Sequence, residues 1–215
     1  MPVFQLPTEI IFPNPELARK DGLLAFGGDL SEERLITAYS MGIFPWYSEG
    51  SPILWWSPDP RLILIPEELK VSRSLRKVIN KGIFKVTMDT AFEQVIRNCA
   101  GVPREGQGGT WITEDMIEAY IRLHKLGYAH SVESWCEGEL VGGLYGIILG
   151  KVFFGESMFS KVSNASKVAF VTVVERLREQ GFRLIDCQVR TEHLISLGAR
   201  EVPRCVFLEM LSKAI

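Results

Sequence analysis

The sequence predicts an α+β protein, and three observations carry that reading. Beyond residue 61, apolar segments of strand length alternate with amphipathic segments of helical period. Three successive strand-length segments, at about 129–136, 139–149 and 152–158, are joined by Glu137-Gly138 and Gly150-Lys151, both of hairpin-turn composition. The pattern then runs helix, strand, helix, strand, which implies helices packed on a mixed, mainly antiparallel sheet. The first sixty residues differ: they are rich in Pro and Gly and read as a small N-terminal α/β domain over 1–61, followed by a larger domain over 62–215.

The elements follow in chain order. Ser31 is placed to cap a helix to about Met41, with Leu35, Ile36 and Tyr39 as its buried stripe and Gly42 as its terminator. Arg61 to Ile65 reads as a short strand, and Ser72 as the cap of a helix to about Asn80. A strand from Ile83 to Met88 leads to Asp89, expected to cap a helix to Ala100 that buries Phe92, Val95, Ile96 and Cys99. Residues 101–109 form a Gly-rich loop, after which Thr113 caps a helix to Leu126, closed by Gly127. Beyond the three strands, a helix from about Ala165 to Gln180 buries Val168, Phe170, Val171, Val174 and Leu177. A strand at 182–189, a short helix from Glu192 to Leu197 and a last strand near 203–207 complete the chain. That order matches the Gcn5-related N-acetyltransferase type of fold, which is a prior for function and no more.

Bulk composition excludes several classes. At 47% hydrophobic, 23% charged and net charge −2 over 215 residues, the chain is neither disordered nor strongly polycationic. No apolar run is long enough to cross a bilayer, and the N-terminus lacks the regions of a signal peptide, so a cytoplasmic location without membrane association is expected. Cys99, Cys136, Cys187 and Cys205 are scattered without redox or metal spacing and read as reduced, mostly buried thiols. With three scattered histidines as well, neither a metal nor any other cofactor is expected. His130 and His193 read as surface or structural, having no evident partner.

Two stretches stand out against this background. Trp46, Trp55 and Trp56 lie among prolines in Phe44-Pro45-Trp46-Tyr47-Ser48 and Leu54-Trp55-Trp56-Ser57-Pro58, a pattern of neither helix nor ordinary central strand. Trp55 and Trp56 are expected to pack a junction, and Trp46 to be exposed and to stack on something planar. From Lys70 to Lys85 the chain carries six basic residues and no acidic one. Arg73, Arg76, Lys77 and Lys81 would share one face of the helix there, either as a solvated surface or as a phosphate-binding one.

Chemistry is sharpest at Leu184-Ile185-Asp186-Cys187-Gln188-Val189. Strand alternation would project Asp186 and Gln188 from one face. A carboxylate beside an amide can orient an amine or move a proton; the alternative is a polar pair facing solvent or capping the next helix. Glu156, within Phe153-Phe154-Gly155-Glu156-Ser157-Met158, is either exposed or placed for a cationic partner, since burying an unpaired carboxylate is costly. Gly155 could mark a bulge that brings Phe153 and Glu156 into one cavity. Neither a Walker A sequence nor a dinucleotide-binding glycine pattern is present. The turn Lys161-Val162-Ser163-Asn164-Ala165-Ser166-Lys167 lacks the glycine pattern that acetyl-CoA-using proteins carry there, although its helix N-terminus could receive an anion or a hydroxyl.

Several blocks together resemble one bacterial family, that of leucyl/phenylalanyl-tRNA–protein transferases. They are 22–30, 42–46, 54–61, 109–113, Gly142-Gly143-Leu144-Tyr145-Gly146, 154–160 and Leu184-Ile185-Asp186-Cys187-Gln188, and they span nearly the whole chain. The resemblance implies transfer of Leu or Phe from its tRNA to the N-terminal Arg or Lys of a protein, marking it for degradation, with Met a further donor side chain. It implies that Trp46 and Trp111 sandwich the terminal adenine, that Phe153 lines an apolar side-chain pocket with Leu144 and Phe170, and that the basic helix holds tRNA phosphates without reading sequence. Such a pocket discriminates weakly, one methylene being worth about 1–3 kcal/mol.

The implied reaction is aminolysis of an ester. An α-amine of pKa roughly 7.7–8.0 already attacks activated esters, so positioning and oxyanion handling are the main needs. Asp186 is then assigned to orient the amine or take its proton, and Gln188 to hold the amine or the carbonyl. Glu156 would face a positive group, either the donor's ammonium or the acceptor's basic side chain. Leu144 stands where some relatives carry Met, which bears on the Leu/Phe preference, and the chain ends soon after Pro203-Arg204-Cys205, so contacts made by a longer tail would be missing. Two other readings compete: an acyl-CoA-dependent N-acyltransferase on the same fold, and a non-catalytic RNA-binding module. Oligomeric state is not disclosed; a monomer is the working expectation.

Overall fold

A computed structural model describes residues 2–102 and 111–215. Short strands β1 (Phe4–Leu6), β2 (Leu23–Gly27), β3 (Phe44–Pro45) and β4 (Leu54–Trp56) form one sheet in the order β1-β2-β4-β3, with helix α1 (Glu32–Ser40) between β2 and β3. The tryptophan-rich segment is therefore strand after all, and β4 lies inside the sheet. Pro52 and Pro58 fall outside its pairing, and Pro45, opposite Trp55, sits on the edge strand β3, where a missing N–H is tolerated. Trp55 is buried and packs edge-on to Phe12, while its indole N–H donates to the Gly27 carbonyl. Both contacts lie within the first 61 residues, and Trp56 is half-buried.

The remaining strands form a second sheet: β5 (Arg61–Leu64), β6 (Lys85–Met88), β7 (Ala129–Cys136), β8 (Glu139–Leu149), β9 (Val152–Ser160), β10 (Leu184–Gln188) and β11 (Arg200–Val202). Their order is β11-β5-β10-β9-β8-β7-β6, antiparallel throughout except for β9 and β10. The fold is thus α+β, with the mixed and mainly antiparallel sheet that the sequence predicts. Glu137 and Gly138, both at positive φ, make the β7–β8 turn, as Gly150 does for β8–β9.

Helices cover both faces of this sheet. They are α2 (Arg73–Asn80), α3 (Phe92–Ala100), α4 (Glu114–Lys125), α5 (Ala165–Glu179), α6 (Glu192–Ser196) and α7 (Arg204–Ser212). One core gathers Tyr39, Trp55, Phe92, Tyr120, Phe154 and Phe207; the other gathers Leu144, Phe153, Phe170 and Ile185 under α5. Ser72 and Thr113 cap α2 and α4 through their hydroxyls, accepting from the amides of Leu75 and Met116.

Three local expectations are corrected. Asp89 does not cap α3, whose N-cap is Ala91; at φ +56 its carboxylate instead accepts from the Ser131 amide and pairs with His130 at 2.9 Å. His130 therefore has a partner that its sequence neighbourhood does not reveal. The strand expected near 203–207 is the first part of helix α7, because Pro203 pre-sets the entry turn and Phe207 and Leu211 bury one helical turn apart. Of the four cysteines, only Cys99 and Cys187 are buried, and Cys205 is exposed. The Gly-rich loop lies almost wholly outside the described residues, as do Gly109 and Thr110. Among the described residues no helix is long and apolar enough to cross a membrane.

Candidate active site

Parallel pairing of β9 with β10 runs through Leu184–Val152, Ile185–Phe153 and Asp186–Phe154, then stops. Beyond that point the two strands part, and a cavity of about 480 Å³ opens between them. Its walls include Leu144, Phe153, Phe170, Ile185 and Leu194, with Trp46 and Trp111 also lining it. A largely apolar cleft of this size, with a few convergent polar groups, is the usual form of a small-ligand site.

Two bulges shape the cavity. On β9, Ser157 pairs with Tyr145 and Gly155 with Gly146, which leaves Glu156 as the extra, unpaired residue. The interruption reverses the alternation, so Phe153 and Met158, five positions apart, join the same core, and Phe153 and Glu156 line one cavity. This is the bulge expected at Gly155. Gly146 opposite it is required for another reason: a Cβ there would lie 2.3 Å from the Phe154 carbonyl and 2.5 Å from the Phe153 ring. Gly146→Ala is therefore expected to cost about 1–3 kcal/mol, read as a lower denaturation midpoint. It should also press the Phe153 ring into the cavity and narrow it.

On β10 the register shifts between Asp186 and Gln188, and Gln188 takes φ +61. The shared face expected for Asp186 and Gln188 is therefore not formed. Gln188 lines the cavity, whereas Asp186 turns away from it and is wholly buried. Its carboxylate accepts from Arg61 Nε at 2.8 Å and Nη2 at 2.6 Å, and from the Gln188 amide at 2.9 Å. Arg61 in turn lies between the Phe44 and Phe207 rings, its guanidinium carbon 4.8 and 4.6 Å from their centroids. A carboxylate held in this way fixes the backbone of Gln188 and has no free oxygen facing a substrate.

Glu156 is buried and has no cation partner among the described residues. Gln188 Nε2 donates to one oxygen at 2.6 Å and the Tyr120 hydroxyl to the other at 3.1 Å, and the Tyr39 hydroxyl contacts that of Tyr120. Burial raises its pKa to about 7, against the opposing hydrogen bonds of Tyr39, Tyr120 and Gln188. Tyr39 and Tyr120 are pushed up by burial and by the neighbouring carboxylate, so they remain hydroxyl donors. Sequence periodicity marked Tyr39 only as part of a buried stripe. Cys187 also lines the cavity, but burial and then Asp186 raise its thiol pKa well above the usual range, which rules it out as a thiolate nucleophile at neutral pH.

The tryptophans are less exposed than expected. Trp111 is 8% exposed, and Trp46 is half-buried, with its ring 5.8 Å from that of Trp56 and its carbonyl accepting from the Trp56 indole. On α2 the basic face is formed and exposed, away from the cavity lining; Arg76 is tied to Glu175 at 3.1 Å, while Arg73, Lys77 and Lys81 have no carboxylate partner among the described residues.

The cleft joins apolar walls to a hydrogen-bonded carboxylate and amide, with two tryptophans on its lining, an arrangement suited to holding an apolar group beside polar atoms that can position a reaction. The comparisons narrow this. The family model described as leucyl/phenylalanyl-tRNA protein transferase matches residues 63–212, and that of its N-terminal domain matches 28–59. Leucyl/phenylalanyl-tRNA–protein transferases from Syntrophobacter fumaroxidans and from Anaeromyxobacter sp. strain Fw109-5 are 63% and 62% identical, each alignment covering 100% of this chain and 92% of the relative. That of Myxococcus xanthus is 60% identical over 100% of this chain and 93% of its own. Among solved structures, a GCN5-related N-acetyltransferase from Kribbella flavida overlaps with a TM-score of 0.40 at 14% identity, covering 80% of this chain and 59% of that one. The chain belongs to the leucyl/phenylalanyl-tRNA protein transferase family. It is an aminoacyltransferase that moves Leu or Phe from tRNA to protein.

Proposed function

We propose that the acceptor is the N-terminal α-amine of proteins beginning with Arg or Lys, that the product is marked for degradation, and that Met is a further donor side chain. The observation that carries the site reading is the Gln188–Glu156 hydrogen bond beside the apolar walls of the cleft. The donor side chain lies against Leu144, Phe153 and Phe170, and the terminal adenine stacks with Trp46 and Trp111. Glu156, buried on the cavity lining, takes the donor's α-ammonium. The neutral acceptor amine attacks the ester carbonyl, the C–N bond forms, the bond between the acyl carbon and the ribose oxygen breaks, and the amine's proton leaves with that oxygen as the ribose hydroxyl. Gln188 positions the amine or the carbonyl, and Asp186 acts as a positioning residue behind it, rather than as the base. Arg73, Lys77 and Lys81, with Arg76 at their edge, attract tRNA phosphates in a salt-dependent way. A cytoplasmic monomer with a domain boundary near residue 61 completes the reading.

The test is transfer of labelled Leu or Phe from charged tRNA to peptides beginning with Arg, Lys or Ala. Transfer is expected only to the basic N-termini. In Trp46→Ala the donor KM should rise about 5- to 150-fold, the range of one lost base stack. Equal transfer to the Ala peptide would overturn the acceptor assignment.

A further inference from the structure

An aminoacyl-adenosine has three arms on its ribose: the base, the acyl group and the 5′-phosphate that leads into the rest of the tRNA. The reading above uses two regions of the cavity, the tryptophans and the apolar end beside Glu156. A third region remains, lined by Ser160, Ser166 and His193, where the cavity meets the N-terminus of α5. Ser166 is 7% exposed, lines the cavity, and its hydroxyl has no hydrogen-bond partner among the described residues. Lys167, the next residue, is half-buried in the first turn and has no carboxylate partner among the described residues; that turn contains no acidic residue. A cation there opposes the helix dipole, an arrangement that a bound anion relieves. The backbone adds donors: the Ser166 amide reaches only the Ser160 hydroxyl, at 3.3 Å, and α5 is 15 residues long. His193 lies within electrostatic reach of Lys167, and its Nε2 is buried without a partner.

We propose that the first turn of α5, through the Ser166 hydroxyl, the Lys167 ammonium and the Lys167 backbone amide, is an anion subsite that takes the 5′-phosphate of the donor's terminal adenosine. The proposal rests on the placement of the adenine at Trp46 and Trp111. It gives the enzyme a way to hold the ribose from a third side, so that the ester is fixed against the Gln188–Glu156 end. It also separates two kinds of phosphate contact, one internal to the cavity and one on the exposed face of α2.

The experiment is calorimetric titration of the wild type with adenosine and with adenosine 5′-monophosphate, repeated for Ser166→Ala, Lys167→Gln and the double variant. Wild type should bind the monophosphate about tenfold more tightly than adenosine, the size expected of charge-assisted hydrogen bonds. The double variant should bring the monophosphate to the adenosine value and leave adenosine binding within about twofold of wild type. Adenosine binding without a phosphate gain would overturn the subsite and leave the adenine reading standing, as would a gain that survives in the double variant. Parallel loss of both ligands in the double variant would mean a packing role for Ser166 and Lys167 and overturn the subsite too. Failure of wild type to bind either ligand would overturn the adenine placement and this proposal with it.

Discussion

Asp186→Asn should remove about 3–5 kcal/mol of stability and lower transfer by roughly a hundredfold, through one cause. The substitution preserves shape but leaves the Arg61 guanidinium, 1% exposed and enclosed by Phe44 and Phe207, without its counter-charge. Nη1 of Arg61 already lacks a hydrogen-bond partner, so no spare acceptor can compensate. Against a typical folding stability of roughly 5–15 kcal/mol, such a loss is large and should be plain in a urea titration. The catalytic loss arises because the Asn NH2 would meet the Arg61 Nη2 donor, so the side chain shifts and carries with it the Oδ1 that anchors the backbone amide of Gln188, a residue held at positive φ. A displacement near 1 Å in a positioning group costs about a hundredfold. The double replacement Arg61→Met with Asp186→Leu separates the two effects. Removing both charges should restore much of the stability, since well-packed apolar pairs replace buried ion pairs at little cost, but not the activity. An Asp186→Asn protein of wild-type stability would refute the anchoring role, and recovery of transfer in the double variant would show that Gln188 needs no anchor.

The same pair shows where sequence reasoning reaches its limit. Asp186 and Arg61 are 125 residues apart and meet across the β5–β10 ladder, and no local pattern records such a meeting. Strand alternation was the right rule for Leu184 and Ile185, but the register shift before Gln188 breaks it, and Gln188 is not a residue type that advertises positive φ. By contrast, Gly155 beside Glu156 in an aromatic strand was legible as a bulge, because glycine and an otherwise costly carboxylate both argue against a regular ladder. Helices α2 and α4 were legible from their caps and α5 from its apolar spacing, since those signals are local. Tyr39 was visible only as a buried helical position, and Tyr120 only as lying within the helix that Thr113 caps. Periodicity reports that a ring is inside, not that its hydroxyl meets a carboxylate from another element. Glu156 was expected either to be exposed or to face a cation; instead, neutral donors from α1, α4 and β10 surround it.

Those neutral donors make Glu156→Gln the most informative substitution at the cleft. The titratable groups facing Glu156 are Tyr39 from α1, Tyr120 from α4 and, on β10, Asp186, whose charge is matched by Arg61. With a pKa of about 7 in the folded protein against an ordinary 4.5, the folded state holds a proton that the unfolded state has lost between those values. Stability must therefore fall as pH rises through that window, because the native state binds more protons than the unfolded one. The whole fall is roughly 3 kcal/mol at about 1.4 kcal/mol per tenfold. Glutamine resembles the protonated acid, with one acceptor oxygen and one donating end, so the variant should match wild type near pH 4.5 and exceed its stability near pH 8. Activity should move the other way. If the ionised carboxylate holds the donor's ammonium, wild-type kcat/KM gains a limb near pH 7 in addition to the titration of the acceptor amine. The variant should lack that limb and sit about a hundredfold lower, the usual cost of removing one partner from a buried charge contact. Denaturation midpoints and pH–rate profiles of the two proteins check both halves. A variant that keeps full transfer with an unchanged pH profile would remove Glu156 from substrate binding, whereas a variant destabilised at pH 8 would show that the tyrosines and Gln188 more than offset the burial of its charge.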